Sequence, residues 1–182
     1  MISSARQDVI SSGPAIAGAG ASSARILSPS PAGPGLEIVG DPALGSFVEA
    51  IYGATSGSSD TTAAVTVTPA AGASFVYLLL GSGSRYTTQQ LRIQRTPGSS
   101  VLEAAAATGT APCGAIADGT PTDLAVVFHA ASGTFDVRIG GAASGCTGLP
   151  TRLQPPVVGF GMMDASNEGW GGRVDFTGLT MF

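Results

Sequence analysis

Apolar residues never recur at helical spacing over three turns in this chain. From Gly35 onward they fall in short β-compatible runs broken by Gly, Pro, Ser and Asp. The breaks come at intervals of about 8 to 15 residues, the punctuation of an all-β sandwich or barrel. The runs are Leu36 to Val39, Phe47 to Gly53, Ala63 to Thr68, Ser74 to Leu80, Gln89 to Arg95, Ser100 to Ala105, Asp123 to Ala130, Phe135 to Gly140, Val157 to Met163 and Gly172 to Met181. Ala64-Val65-Thr66-Val67-Thr68 places its valines on one face and its threonines on the other, and Gln90-Leu91-Arg92-Ile93-Gln94 separates in the same way. Each such strand has one core face and one face that is wet or meets a partner.

Asp123 to Gly141 is the clearest hairpin, two β-rich runs joined at Ala131-Ser132-Gly133, where Gly supplies the positive φ of a tight turn. Ala104 to Ala107 has helical propensity but is too short to nucleate a helix between turn signals. Residues 1–34 are Ala, Gly, Ser and Pro with few charges, and Pro14, Pro29, Pro31 and Pro34 interrupt any regular element. They read as an extended arm, ordered only against a partner or its own sandwich, with Ala24 to Leu27 available as an edge strand. Residues 35–182 form the domain.

Charge narrows the chemistry. Lys is absent, so all eight basic residues are Arg, and there is no Walker-type loop and no Schiff-base lysine. A net charge of −4 argues against a nucleic-acid partner. The strongest apolar runs, Phe75 to Leu80 and Leu124 to Phe128, fall far short of the roughly 20 residues that span a bilayer, so no membrane partner is expected. The first residues, with Arg6, Asp8, Gly13 and Pro14, make a poor secretory signal. Cys113 and Cys146 have no metal-ligand spacing and His129 is the only histidine, which argues against structural zinc. The two cysteines flank the hairpin. They either close a disulfide across its base or remain small buried apolar groups in a reducing compartment.

The order of elements resembles the concanavalin A-like, laminin G-like jelly roll. The likeness lies in Asp123 to His129 followed by Gly133 to Gly141, in Val158-Gly159-Phe160-Gly161, and in the last strand, Gly171 to Leu179. Where the family customarily has Trp-His before the first hairpin strand, this chain has Pro121-Thr122-Asp123. The resemblance implies an antiparallel jelly-roll β-sandwich over residues 36–182.

Glycosidases of this fold set carboxylates at alternating positions of one strand. Here Glu37, Asp41 and Glu49 are separated by loops and glycines, and Glu103 stands alone. No Gly-x-Ser-x-Gly elbow accompanies His129, and Gly18-Ala19-Gly20 lacks the strand and helix of a dinucleotide site. Asp164 to Gly172 holds Asp164, Asn167, Glu168 and Trp170 on a Gly-rich loop. Its oxygens suit Ca²⁺, the one cofactor considered, and its indole suits a sugar face; the plain alternative is a polar connection sealed by Trp. Arg85, Tyr86, Gln90, Arg92 and Gln94, with Arg95, form a polar strand face suited to a protein partner or to solvent.

These features lead to the expectation of a non-enzymatic assembly protein that looks like a bacteriophage virion component, a capsid decoration, tail or fibre protein. It would be made in a host cytoplasm, attach through arm and sheet face, and pair with copies of itself or with capsid or tail subunits. The alternative is an extracellular carbohydrate-binding module, calcium-dependent if the Asp164 loop takes the ion.

Overall fold

Strand Thr61–Pro69 turns alternation into a layer: Thr61, Ala63, Val65, Val67 and Pro69 are buried, and Thr62, Ala64, Thr66 and Thr68 stand half-buried on the opposite face. The computed structural model describes residues 7–8, 15–19, 22–30, 33–41, 47–52, 60–80, 91–106, 109–150, 157–163 and 171–181. Every regular element among them is a strand.

One sheet holds β1 (Gln7–Asp8), β3 (Ser23–Ser30), β4 (Gly33–Gly40), β6 (Thr61–Pro69), β11 (Thr122–His129), β12 (Thr134–Ile139), β13 (Ala142–Ala143), β14 (Leu149–Pro150) and β16 (Gly172–Met181). Its order is β13-β12-β11-β6-β16-β4-β3, with β1 added to β16 and β14 to β12. The other holds β2 (Ala15–Ala19), β5 (Phe47–Tyr52), β7 (Phe75–Leu80), β8 (Leu91–Arg95), β9 (Val101–Ala106), β10 (Gly109–Ala115) and β15 (Val157–Met163), in the order β10-β9-β8-β7-β15-β5-β2. All pairings are antiparallel.

The two C-terminal long strands are inserted between earlier ones, β16 between β4 and β6 and β15 between β5 and β7, so each sheet is completed by the end of the chain. Between the sheets lies one core that includes Leu36, Val67, Phe75, Ile93, Leu102, Val126, Phe135 and Phe176. Phe75 of one sheet meets Phe176 of the other edge to face, with centroids 5.9 Å apart and planes at 80°. Such a pair adds about 0.5–1.5 kcal/mol beyond its buried area.

The hairpin turn forms as its sequence requires: Gly133 has φ 62° and donates its N–H to the His129 carbonyl at 2.9 Å. Val101–Ala106 is a strand despite its alanines. Strand β10 has no counterpart in the sequence reading, because Gly109-Thr-Ala-Pro-Cys-Gly-Ala115 reads as turn chemistry. It is an edge strand, where Pro112 loses little by donating no hydrogen bond, and its register with β9 shifts between Pro112 and Gly114. Within residues 1–34, Ala15–Ala19 pairs with β5 and Ser23–Ser30 with β4, each at an outer edge of its sheet. The 34/35 boundary falls inside β4.

Cys113 and Cys146 are joined. The bond does not cross the base of the β11–β12 hairpin. It ties β10, at the edge of one sheet, to the segment just after β13, at the edge of the other. Gly145 donates to the Cys113 carbonyl at 2.8 Å, and Val137 donates to that of Cys146 at 2.8 Å. A Cβ at position 145 would lie 2.8 Å from the Pro112 carbonyl oxygen, so only glycine allows this close approach.

Candidate functional site

The outer face of the larger sheet is set by register. Arg138 of β12 stands opposite Ala125 of β11, Ala125 opposite Ala64 of β6, and Ala64 opposite Thr180 of β16. Along the next row Asp123 stands opposite Thr66, and Thr66 opposite Thr177. Two neighbouring alanines in the middle of a row flanked by longer side chains leave a depression. It is a groove of about 370 Å³ whose lining includes Thr62, Thr66, Asp123, Arg138, Gly141 and Thr180. Thr66 Oγ1 donates to Asp123 Oδ1 at 2.7 Å, and both Asp123 and Arg138 are exposed. The groove thus presents hydroxyls, one carboxylate and one guanidinium above a floor of methyl groups.

Further along the same face, β3, β4 and β16 carry a closed ionic network. Glu37 stands opposite both Arg25 and Asp175. Arg25 Nε donates to Glu37 Oε1. Arg173 grips Asp175 with Nε to Oδ1 at 3.1 Å and Nη2 to Oδ2 at 2.8 Å. Arg173 Nε also lies 2.7 Å from Glu37 Oε2 without the alignment of a hydrogen bond, an ion pair by proximity. Glu37 is only 5% exposed. The hydrogen bond from Arg25, opposed by burial and aided by the charge of Arg173, holds its carboxyl below the usual range.

A third cluster sits where β11 turns into β12. His129 Nε2 is 3.0 Å from Asp136 Oδ2, and Nδ1 is 3.5 Å from Asp60 Oδ2. Each carboxylate also accepts a backbone N–H: Asp136 from Gly148 at 2.7 Å, and Asp60 from Ala130 at 2.9 Å. The bond to Asp136, with Asp60 adding to it, pushes the imidazole up, and Gly148 followed by His129 holds the Asp136 carboxyl down. With a carboxylate beside each ring nitrogen, His129 ties the end of β11 to β12 and to the segment before β6. The nearby Ser132 hydroxyl is directed to Thr134 Oγ1, at 2.6 Å, and to the His129 carbonyl.

Asp164, Asn167, Glu168 and Trp170 lie outside the described residues, as do Arg85, Tyr86 and Gln90. Arg92 is half-buried. Gln94 needs correction: it is 5% exposed on β8, an interior strand between β7 and β9, and does not present a binding surface. Arg95, 3% exposed, is held by the Ser99 carbonyl at 2.6 Å and by Asp118 at 2.6 Å. Among the described residues, no group of three His, Cys, Asp or Glu could hold a metal ion. Asp123, Arg138 and Thr180 belong to no binding or catalytic motif that the sequence displays. The signal that leads to them is the threonine face of Ala64 to Thr68 together with its pairing to the hairpin.

No protein-family model and no curated protein matches the sequence. Solved structures do match. The Emp46p carbohydrate recognition domain in its potassium-bound form aligns with TM-score 0.62 and 12% identity over 94% of this chain and 89% of that one. A sialidase aligns with TM-score 0.61 and 14% identity over 94% of this chain, which spans 18% of the sialidase. Alginate lyase AlgAT5, of polysaccharide lyase family 7, aligns with TM-score 0.54 and 13% identity over 74% of this chain and 68% of that one. The last two correct the expectation of a non-enzymatic protein: this architecture also occurs within enzymes, so it does not set the chain apart from catalysis. The fold is an antiparallel jelly-roll β-sandwich of the concanavalin A-like kind found in lectin carbohydrate-recognition domains.

Proposed function

We propose that this chain binds carbohydrate in the groove on the outer face of the larger sheet. The observation that carries the reading is the lining: threonine hydroxyls, Asp123 and Arg138 around two alanine methyls. Sugars present alternating hydroxyls and C–H patches, and such a surface meets both with hydrogen bonds and apolar contact. The neighbours support it, since one is a carbohydrate recognition domain and another a polysaccharide lyase. The Cys113–Cys146 bond favours an oxidising, extracellular setting. The virion-assembly reading rests on analogy at the level of fold, and the groove adds nothing to it.

The test is a glycan array followed by calorimetry on its hits, with and without Ca²⁺, comparing wild type with Ala125→Phe. The aromatic ring would fill the floor from a half-buried, outward-facing position that leaves the core untouched. Binding that disappears in the filled variant while the thermal midpoint holds is the expected result. An array without hits, or hits indifferent to the filled floor, removes the groove from consideration. Loss of binding on chelation alone would move the site to the Asp164 loop. Incubating the hits and following new reducing ends reads turnover separately.

A further inference from the structure

We propose that the groove selects sugars bearing a carboxylate, with Arg138 as the anchoring cation; this rests on the carbohydrate reading above. Arginines on this molecule are engaged with acids wherever their partners are described: Arg25 and Arg173 with Glu37 and Asp175, Arg95 with Asp118. Arg138 differs. It makes no hydrogen bond or ion pair with a described residue, although it lies within electrostatic reach of Asp136. Asp136 is already occupied, one oxygen by the Gly148 N–H and the other by His129. The guanidinium fork of Arg138 is therefore left at the groove wall with its donors unfilled, and that planar fork matches a carboxylate with two parallel bonds.

Asp123 gives the site a direction. It lies on the same face as Arg138, one row away, and the two form no ion pair. Thr66 fixes one of its oxygens, leaving the other to accept from a sugar hydroxyl. Its charge also repels an anion from that end. An acidic sugar is thus seated one way round, carboxylate at Arg138 and hydroxyls at Asp123 and the threonines.

Calorimetry at low and moderate salt would use oligogalacturonate, oligoalginate and sialyllactose, each beside its carboxyl-reduced or asialo counterpart, and a sulfated disaccharide. At least one acidic sugar should bind about tenfold or more tighter than its neutral partner. Arg138→Ala should erase that difference. Arg138→Lys should retain part of it, since a point charge replaces the fork. Asp123→Asn should weaken acidic and neutral sugars alike, or weaken the neutral ones more. Added salt should shrink the preference. Neutral sugars binding as well as acidic ones would overturn the carboxylate assignment and leave carbohydrate binding standing. A sulfated sugar preferred over every carboxylated one would overturn it too. Failure of every sugar would overturn the carbohydrate reading itself. A melting curve for each variant separates lost binding from lost fold.

Discussion

Two regions of one sheet face use the same residue types in opposite ways. At β3, β4 and β16, two arginines and two acids close on one another, and Glu37 at the centre is buried. At β6, β11 and β12, Arg138 and Asp123 stand exposed around a hollow and do not meet. The first arrangement holds strands in register, because opposite charges directly across a ladder attract while the like pair Glu37 and Asp175 would repel without the arginines between them. The second leaves its charges directed at whatever enters. Pairing, rather than the presence of charge, separates the closed patch from the open one.

The largest expected effect sets the scale for both regions. Replacing Cys113 and Cys146 together by Ala opens a loop of 33 residues and should cost about 3–4 kcal/mol in denaturant unfolding on the chain-entropy model. Next comes Glu37→Gln. Two arginines then lose their common acid, and stability should fall by about 1–2 kcal/mol with sugar affinity unchanged. Arg138→Ala should give the reverse, stability within about 0.5 kcal/mol of wild type and the acid preference gone. If Glu37→Gln weakens sugar binding as much as Arg138→Ala does, the two regions are not separate.

The smallest effect is in pH. The His129 pKa is raised in the folded chain, so its contribution is complete below the ordinary value of about 6.5 and is lost as pH rises through the higher folded value. The thermal midpoint should drift down across that window by an amount worth less than about 1 kcal/mol, and His129→Gln should remove the drift. Glu37, Asp118 and Asp136 are lowered, so their contributions are present above about pH 4 and fade as pH falls below it. A second drop there, blunted by Glu37→Gln, would attribute part of acid unfolding to the ionic network.

Much of the fold was legible because alternation and turn residues are local signals. Thr61–Pro69 and the hairpin around Gly133 follow directly from spacing and φ preference. β10 was not legible, since Pro112 and its glycines look like a turn and become a strand only because the edge of a sheet tolerates them. The groove was half legible. Threonines opposite valines announced an outward face, but the hollow exists because Ala64 and Ala125, 61 positions apart in the chain, become neighbours. Gln94 misled for a related reason: alternation puts it on the polar side of β8, and alternation does not say whether that side is covered.

The Cys113–Cys146 bond gives the sandwich a spine. It fastens the β10 edge of one sheet to the β13 edge of the other, while at the opposite edges β2 and β3 follow one another along the chain with only residues 20–22 between them. Like a book with a clasp, the molecule has its two sheets joined on one side by the disulfide and on the other by the backbone. Reducing the bond would leave the backbone as the tie on the β2 and β3 side, so the edges it would release are those of β10 and β13, beside the groove wall that Arg138 and Gly141 line.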